Sequence, residues 1–404
     1  MSVCPTEYWI WLQTALGAGA NTADILSYFE TPEKLYLAGS DEWRLSGLFT
    51  EKRINALRNS TPSQTMAVFK ECRAKGYTIL TPDDVGYPDR LKNLPDMPLV
   101  LYGLGDCSVI KDELSIGMVG TRDASSYGIE TAQKLSYRLA EAGATIVSGG
   151  ALGIDSEAHA GAMLAKGRTF AFLGCGLSYD YLKENAALRR AITRYGALFS
   201  EYQPFAAPTR ASFPIRNRLI SGTTLGIVVI EAGVKSGSLI TADRALEQGK
   251  DVFAVPGDIV RSSFDGTNHL IKNGAKPVFS ADDILSEYEY KYGHLYDSEK
   301  ASLSLNKLNY VDYRKPKAKG EKTKITEPVK QKTSVADTKA DRTPPQGVSD
   351  DAKAVYKALS KGEMHIDDIV RATNMKMNTV LSSLTELEIF GAVEQMPGKK
   401  YKLI

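Results

Sequence analysis

Between residues 115 and about 290, six short apolar runs alternate with stretches of helical spacing, and this alternation constrains the fold more than any other feature. The runs are 115–119, 144–148, 169–173, 197–202, 226–231 and 251–255. Strands separated by helix-length segments are joined by right-handed crossovers. The pattern therefore predicts an α/β fold built on an extended Rossmann-like parallel sheet. In such a sheet the turns after the strands share the carboxyl edge, where ligands bind. Here those turns are rich in small and basic residues. Ser115-Ile-Gly-Met-Val119 runs into Gly120-Thr-Arg122 and then Ser125-Ser-Tyr-Gly128. Ala144-Thr-Ile-Val147 runs into Ser148-Gly-Gly150, and Leu225-Gly-Ile-Val-Val-Ile230 into Glu231-Ala-Gly233 and Ser236-Gly-Ser238. Backbone N–H groups left open by small side chains at helix starts form an anion cradle. The pattern points to phosphate.

A chain of 404 residues with 43% hydrophobic residues has room for two to four domains and at least one large core. No apolar run approaches the roughly 20 residues of a membrane span. Met1 to Leu12 shows no basic region followed by a long apolar stretch, so a secretory signal is not expected. Cys4, Cys72, Cys107 and Cys175 are widely spaced and form no redox or metal-binding pair. A reduced, cytoplasmic setting is the expectation, with no membrane partner. Net charge is only +2, but residues 311–350 carry ten Lys/Arg against six Asp/Glu. The rest of the chain is therefore slightly acidic, and any electrostatic case for nucleic acid rests on a local patch.

Four regions follow from the pattern. Residues 1–62 read as short helices in a small helical domain, with Tyr8–Ala15, Thr22–Phe29 and Pro32–Ala38 at helical spacing. Ser46-Gly-Leu-Phe-Thr50 before Glu51–Leu57 suggests half of a helix-hairpin-helix, or a SAM-like packing bundle. Residues 63–298 form the extended Rossmann-like domain, opening with a helix at Met66–Lys75 and a strand at Thr78–Leu80. Residues 299–348, poor in large apolar side chains, read as a disordered basic linker. Residues 349–404 then give helices at 351–359, 366–372 and 377–389 followed by a β-hairpin, the pattern of a winged helix.

The edge turns carry the chemistry. A bare Gly-x-Gly-x-x-Gly is absent after the first strand, which argues against a dinucleotide fingerprint. In its place stand Arg122 and the hydroxyls of Ser125 and Ser126, suited to phosphate unless they merely cap the helix. Gly149 and Gly150 permit close backbone approach, and Asp155 suits a cap on the helix that continues to His159. Lys183 and Asn185 follow the third strand. Phe213-Pro-Ile-Arg-Asn-Arg-Leu-Ile-Ser-Gly222 brings Arg216, Asn217 and Arg218 near a helix start that Pro214 favours. Ser236, Gly237 and Ser238 open another helix. His159 has no sequence-evident partner and reads as structural.

Taken together, Val119-Gly-Thr-Arg122 with Tyr127-Gly128, Ser148-Gly-Gly-Ala-Leu-Gly-Ile-Asp155, Phe213-Pro-Ile-Arg-Asn-Arg218, Ser236-Gly-Ser-Leu-Ile-Thr241, Asp251-Val-Phe-Ala-Val-Pro-Gly257 and Gly266-Thr-Asn-His-Leu-Ile271 make the chain resemble one family. It is the DNA-processing protein A (Smf) family of bacterial single-strand DNA binders. The resemblance spans nearly the whole chain. It implies a helical N-terminal domain, a Rossmann domain that binds single-stranded DNA and a C-terminal winged helix. It also implies loading of the recombinase A protein onto DNA during natural transformation and homologous recombination. Phosphate contacts at Arg122 and Lys183, and a homodimer interface including His269, Leu270 and Ile271, are implied in the same way. Tyr181-Leu-Lys183 departs from the family, which often places Pro before the Lys.

An enzyme is the competing reading. Rossmann-like phosphoribohydrolases also use Gly-rich turns, but they need a Pro-Gly-Gly-x-Gly-Thr-x-x-Glu segment. Glu231-Ala-Gly-Val-Lys-Ser-Gly-Ser238 stands there instead. With no nucleophile elbow, metal-ligand cluster or Walker lysine in the sequence, a non-enzymatic binder without cofactor is expected.

Overall fold

In a computed structural model, residues 5–61, 65–314, 348–360, 362–389, 392–396 and 400–403 are described. The chain divides into two compact units, Met1–Lys317 and Ala318–Ile404.

The first unit begins with four helices: α1 (Pro5–Leu16), α2 (Ala23–Phe29), α3 (Pro32–Leu45) and α4 (Glu51–Arg58). Thr31 caps α3 by accepting from the Lys34 N–H, with Pro32 in the first turn. Gly39 breaks the helical backbone at φ 75°, close to the end expected from sequence. Trp9, Trp11, Trp43, Phe29 and Leu35 form the core of this bundle, which continues into Leu99, Val100 and Tyr102 of the sheet domain. The Ser46–Thr50 loop is thus one turn of a packed aromatic cluster, with Thr50 capping α4.

The sheet domain adds α5 (Met66–Lys75), β1 (Thr78–Leu80), α6 (Asp89–Lys92) and β2 (Leu101–Gly105) before the alternation starts. It continues through β3 (Ser115–Val119), α7 (Ser126–Glu141), β4 (Thr145–Ser148), α8 (Ile154–Leu164), β5 (Thr169–Leu173), α9 (Ala186–Tyr195) and β6 (Gly196–Ser200). Then follow α10 (Ser212–Thr223), β7 (Gly226–Val229), α11 (Gly237–Glu247), β8 (Asp251–Ala254), α12 (Asp265–Lys272) and β9 (Lys276–Pro277). The sheet has nine strands in the order β1-β2-β6-β5-β4-β3-β7-β8-β9. From β6 to β9 every neighbouring pair is parallel, whereas β1–β2 and β2–β6 are antiparallel. The parallel expectation therefore holds for the alternating run, and two further strands close one edge. Strand order reverses between β3 and β7, which opens a crevice at their carboxyl ends.

Near-continuous apolar strands such as Thr169-Phe-Ala-Phe-Leu173 are buried on both faces, as a parallel sheet requires. Leu135, Leu139, Ile154 and Ala158 cover one face, and Leu219, Ile220, Ala242 and Ala245 the other. Three short helices follow: α13 (Asp282–Leu285), α14 (Glu289–Tyr292) and α15 (Ser298–Ala301).

Part of the expected linker is ordered. Residues 299–314 include the end of α15 and a 3₁₀ turn at Leu305–Lys307, and they pack on the sheet domain. Their polar anchors are side chains distant in sequence, which composition did not reveal, and Ala301 and Leu305 add apolar contacts with the sheet-domain core. The remainder of the expected linker, 315–347, lies outside the described residues.

The second unit contains α16 (Asp350–Leu359), β10 (Met364–His365), α17 (Ile366–Thr373), α18 (Met377–Ile389), β11 (Val393–Met396) and β12 (Lys400–Leu403). The strands form a sheet in the order β10-β12-β11, over a core of Val355, Leu359, Ile369, Val380 and Leu384. This is the expected winged helix.

Candidate functional site

Two hollows lie at the carboxyl edge. One, about 380 Å³, sits at the switch point and is lined by Gly120–Asp123, Asp155, Asn217 and Ser236–Ser238. The other, about 40 Å³, lies between the ends of β4 and β5 and is lined by Gly149, Gly150, Cys175, Tyr181 and Arg189 among others. Arg122, Ala151, Phe213 and Arg216 line both. The partition is aromatic and cationic: the Arg122 guanidinium lies 5.1 Å from the centre of the Phe213 ring, and the Tyr181 ring is 5.5 Å from Phe213 on a tilt of 41°.

The Gly-rich turn after β4 is held from beneath. Asp155 is the second residue of α8, and its carboxylate accepts from Gly149 N–H (3.2 Å) and Ala151 N–H (3.3 Å). It thus caps the turn rather than its own helix. Burial pushes its carboxyl up from the ordinary range, opposed by the adjacent Arg216. Arg216 donates to Gly149 O at 2.6 Å and to Phe172 O. A Cβ at 149 would lie 2.5 Å from the Arg216 guanidinium, which would have to shift to admit it. Gly153 has φ 74°, and a Cβ there would come within 2.5 Å of the Thr121 and Arg122 carbonyls. Asn185 is buried, donating to Gly150 O (3.2 Å) and Ser156 Oγ (2.9 Å).

The fold sorts the expected contact residues. Arg122, Gly149, Gly150, Arg216, Asn217, Ser236, Gly237 and Ser238 all line the hollows. Of these, Arg216 is 5% exposed and shapes the wall instead of projecting from it. Lys183 does not line either hollow; it stands exposed beside them, 3.6 Å from Asp180. Leu182 before it holds φ 49°, an unusual conformation for a branched side chain.

Three expectations need correction. Arg218 is 2% exposed, its guanidinium bound to both Glu201 oxygens at 2.8 Å and to Asp96 at 3.0 Å. It braces the sheet and has no free donor face for DNA. Ser125 caps α7, accepting from Gly128 N–H and donating to Glu231 Oε2 at 2.8 Å. The fully buried Glu231 also accepts from the Ser125 N–H at 3.0 Å. An internal carboxylate thus occupies the helix start where a phosphate would sit. Ser125 and the exposed Ser126 line neither hollow. Asn185, as above, supports the turn from inside.

Sequence reasoning missed Arg189, Tyr179, Tyr181 and Phe213 as lining residues. Arg189 donates to Leu182 O, and burial lowers its pKa from the ordinary arginine value. The available signal was aromatic residues interleaved with basic ones, Tyr179 and Tyr181 beside Lys183 and Arg189. The expected structural role of His159 matches its surroundings: it is fully buried with Nδ1 2.7 Å from the Thr169 hydroxyl, and burial drops its pKa to about 3.

Residues His269, Leu270 and Ile271 lie on α12. His269 is exposed, Ile271 half-buried, and Leu270 packs against the core beneath the sheet.

Such a sheet edge is that of a Rossmann-type α/β domain. Comparison with known proteins gives the lineage. The family profile described as DNA recombination-mediator protein A matches residues 78–289, and that of the DprA winged helix domain matches 339–399. Protein Smf of Synechocystis sp. is 34% identical over 358 residues, covering 87% of this chain and 86% of the relative. DNA processing protein DprA of Bacillus subtilis is 40% identical over 215 residues, covering 53% and 72%. The crystal structure of DNA processing protein A from Streptococcus pneumoniae superposes with a TM-score of 0.62 at 33% identity, over 71% of this chain and 99% of that one. The chain belongs to the DprA/Smf family. Among the described residues, no helix is long and apolar enough to cross a membrane.

Proposed function

We propose that this protein binds single-stranded DNA along the carboxyl edge of its sheet and passes it to the recombinase A protein, without chemistry of its own, in transformation and homologous recombination. The carrying observation is the Arg122–Phe213–Tyr181 array between the two hollows. A cation meets phosphate, and ring faces take bases of any identity. A flexible single strand can splay its bases onto such a ridge; stacked duplex bases cannot reach it. Of the two carboxylates an enzyme would call upon, Glu231 Oε2 is engaged by Ser125 and Asp155 Oδ2 by the N–H groups of its own turn. Along the chain, residues 1–62 precede the sheet domain as a helical bundle, and residues 349–404 follow it as an accessory winged helix.

Titrating labelled single- and double-stranded oligonucleotides across a salt series tests the reading. Single strands should bind more tightly, and with about three phosphates neutralised log affinity should fall with log salt at a slope near −2. Equal affinity for duplex would sink it. The family's dimer is proposed here too, through the α12 surface. Ile271→Asp should convert dimers to monomers by light scattering, and a monomeric parent would contradict the assignment.

A further inference from the structure

After α15 the chain turns back over α7 and α8, and its last four described residues before the linker are held firmly. The Val311 N–H donates to Gln133 Oε1 at 2.7 Å, and Gln133 Nε2 returns a bond to Val311 O at 2.9 Å. The same Nε2 reaches Glu157 Oε2 at 3.0 Å. Glu157 is wholly buried, and Arg314 supplies its countercharge, with Nη2 2.7 Å from Oε1. Burial pushes the Glu157 carboxyl up from the ordinary range, and the Arg314 charge pulls it back. An acid buried so deeply is costly without its partner, so this ion pair fixes where the segment lies.

Glu157 is also next to the residues that shape the Gly-rich turn. Ser156 Oγ donates to Ala151 O at 2.6 Å and accepts from Asn185 Nδ2, which in turn holds Gly150 O. The Tyr313 hydroxyl accepts from Arg314 Nε and Nη2, which ties it to the guanidinium that pairs with Glu157, the residue after Ser156. Its ring packs against the cluster of Ala171, Leu188, Ile192 and Leu198, of which Leu198 lines the smaller hollow. Two routes, one polar and one apolar, thus connect the segment to the same turn.

We propose that Val311–Arg314 is a strap that presets the Gly149–Ala151 turn for the incoming strand, making Tyr313 and Arg314 positioning residues for a site they do not touch. The inference rests on the strand-binding reading given above. A turn already in its binding shape loses less conformational freedom when the ligand arrives, so loosening the strap weakens binding without removing any contact.

The test uses the full chain. Arg314→Ala combined with Glu157→Gln removes the anchor without leaving a buried unpaired charge; Tyr313→Phe keeps the ring and deletes only the hydroxyl link. In the double variant, amide hydrogen exchange at Gly149 and Ala151, measured without DNA, should quicken about three- to tenfold, and single-strand affinity should fall by a similar factor. Tyr313→Phe should move both readouts the same way by about twofold, with an unchanged melting temperature. Unchanged exchange at the turn in both variants overturns the strap. Faster exchange with undiminished affinity overturns its positioning role. Arg122→Ala run alongside separates the two ideas: if that variant also binds like the parent, the reading of the site has failed.

Discussion

At the edge of the large sheet, Arg122 lies against a phenylalanine ring and makes no ion pair among the described residues. In the winged-helix unit, by contrast, Lys400 is 2.7 Å from Glu363, Lys402 is 3.1 Å from Glu394 and Arg371 is 3.5 Å from Asp368. The helix that would enter a major groove, α18, holds no Lys or Arg and exposes Met377 and Leu381. A winged helix is an architecture known for reading duplex DNA, yet here its basic groups are largely neutralised by their own neighbours. The sheet edge, with no fold-level claim on nucleic acid, keeps Arg122 and ring faces available. The proposed function follows the unspent charge rather than the fold.

The comparison breaks most sharply at an arginine inside the first unit that is fully spent. Arg218→Ala strands Glu201 and should cost about 3–5 kcal/mol of stability, read as a large drop in melting temperature. An Arg218→Ala protein that melts like the parent but loses DNA would return this residue to the binding surface. Arg122→Ala should do the reverse, weakening single-strand binding by about 1.5–3 kcal/mol while the melting temperature holds. Lys183→Ala should follow it with a smaller loss, because the lysine stands beside the hollows and not in them. The smallest effect belongs to the wing. Lys400→Ala with Lys402→Ala should alter affinity by less than about twofold. Removing residues 315–404, which leaves the strap in place, should keep it within about tenfold, roughly 1.4 kcal/mol. A larger loss in either experiment would make the winged helix a DNA reader in its own right.

Much of this was legible in the chain. The alternation gave the parallel core strands to within one or two residues, because strands buried on both faces must be apolar throughout. Thr31 and Pro32 marked a helix start, and α18 was placed at 377–389. What escaped were contacts whose partners lie far away in sequence. The segment 299–314 looked like linker because its polar anchors, Gln133 and Glu157, lie about 160 to 180 residues earlier, and its few apolar residues, Ala301, Leu305 and Tyr313, pack on clusters built by distant elements. Phe213 was read as the start of a basic motif, and its ring became informative only once Arg122 and Tyr181 were seen beside it.

The sequence by itself determined the order of elements, the winged helix at the end of the chain and the collection of small and basic residues at one edge, since all of these depend on local spacing. The tertiary structure alone decided how each charge is used. Arg216 and Arg218 are two residues apart on one helix, yet one lines the hollows and the other is locked to Glu201 and Asp96. Ser125 and Ser236 both cap helices at the same edge, yet a buried glutamate meets only the first. Whether a donor is free depends on which acceptor the fold brings within about 3 Å, and spacing along the chain carries no record of that distance.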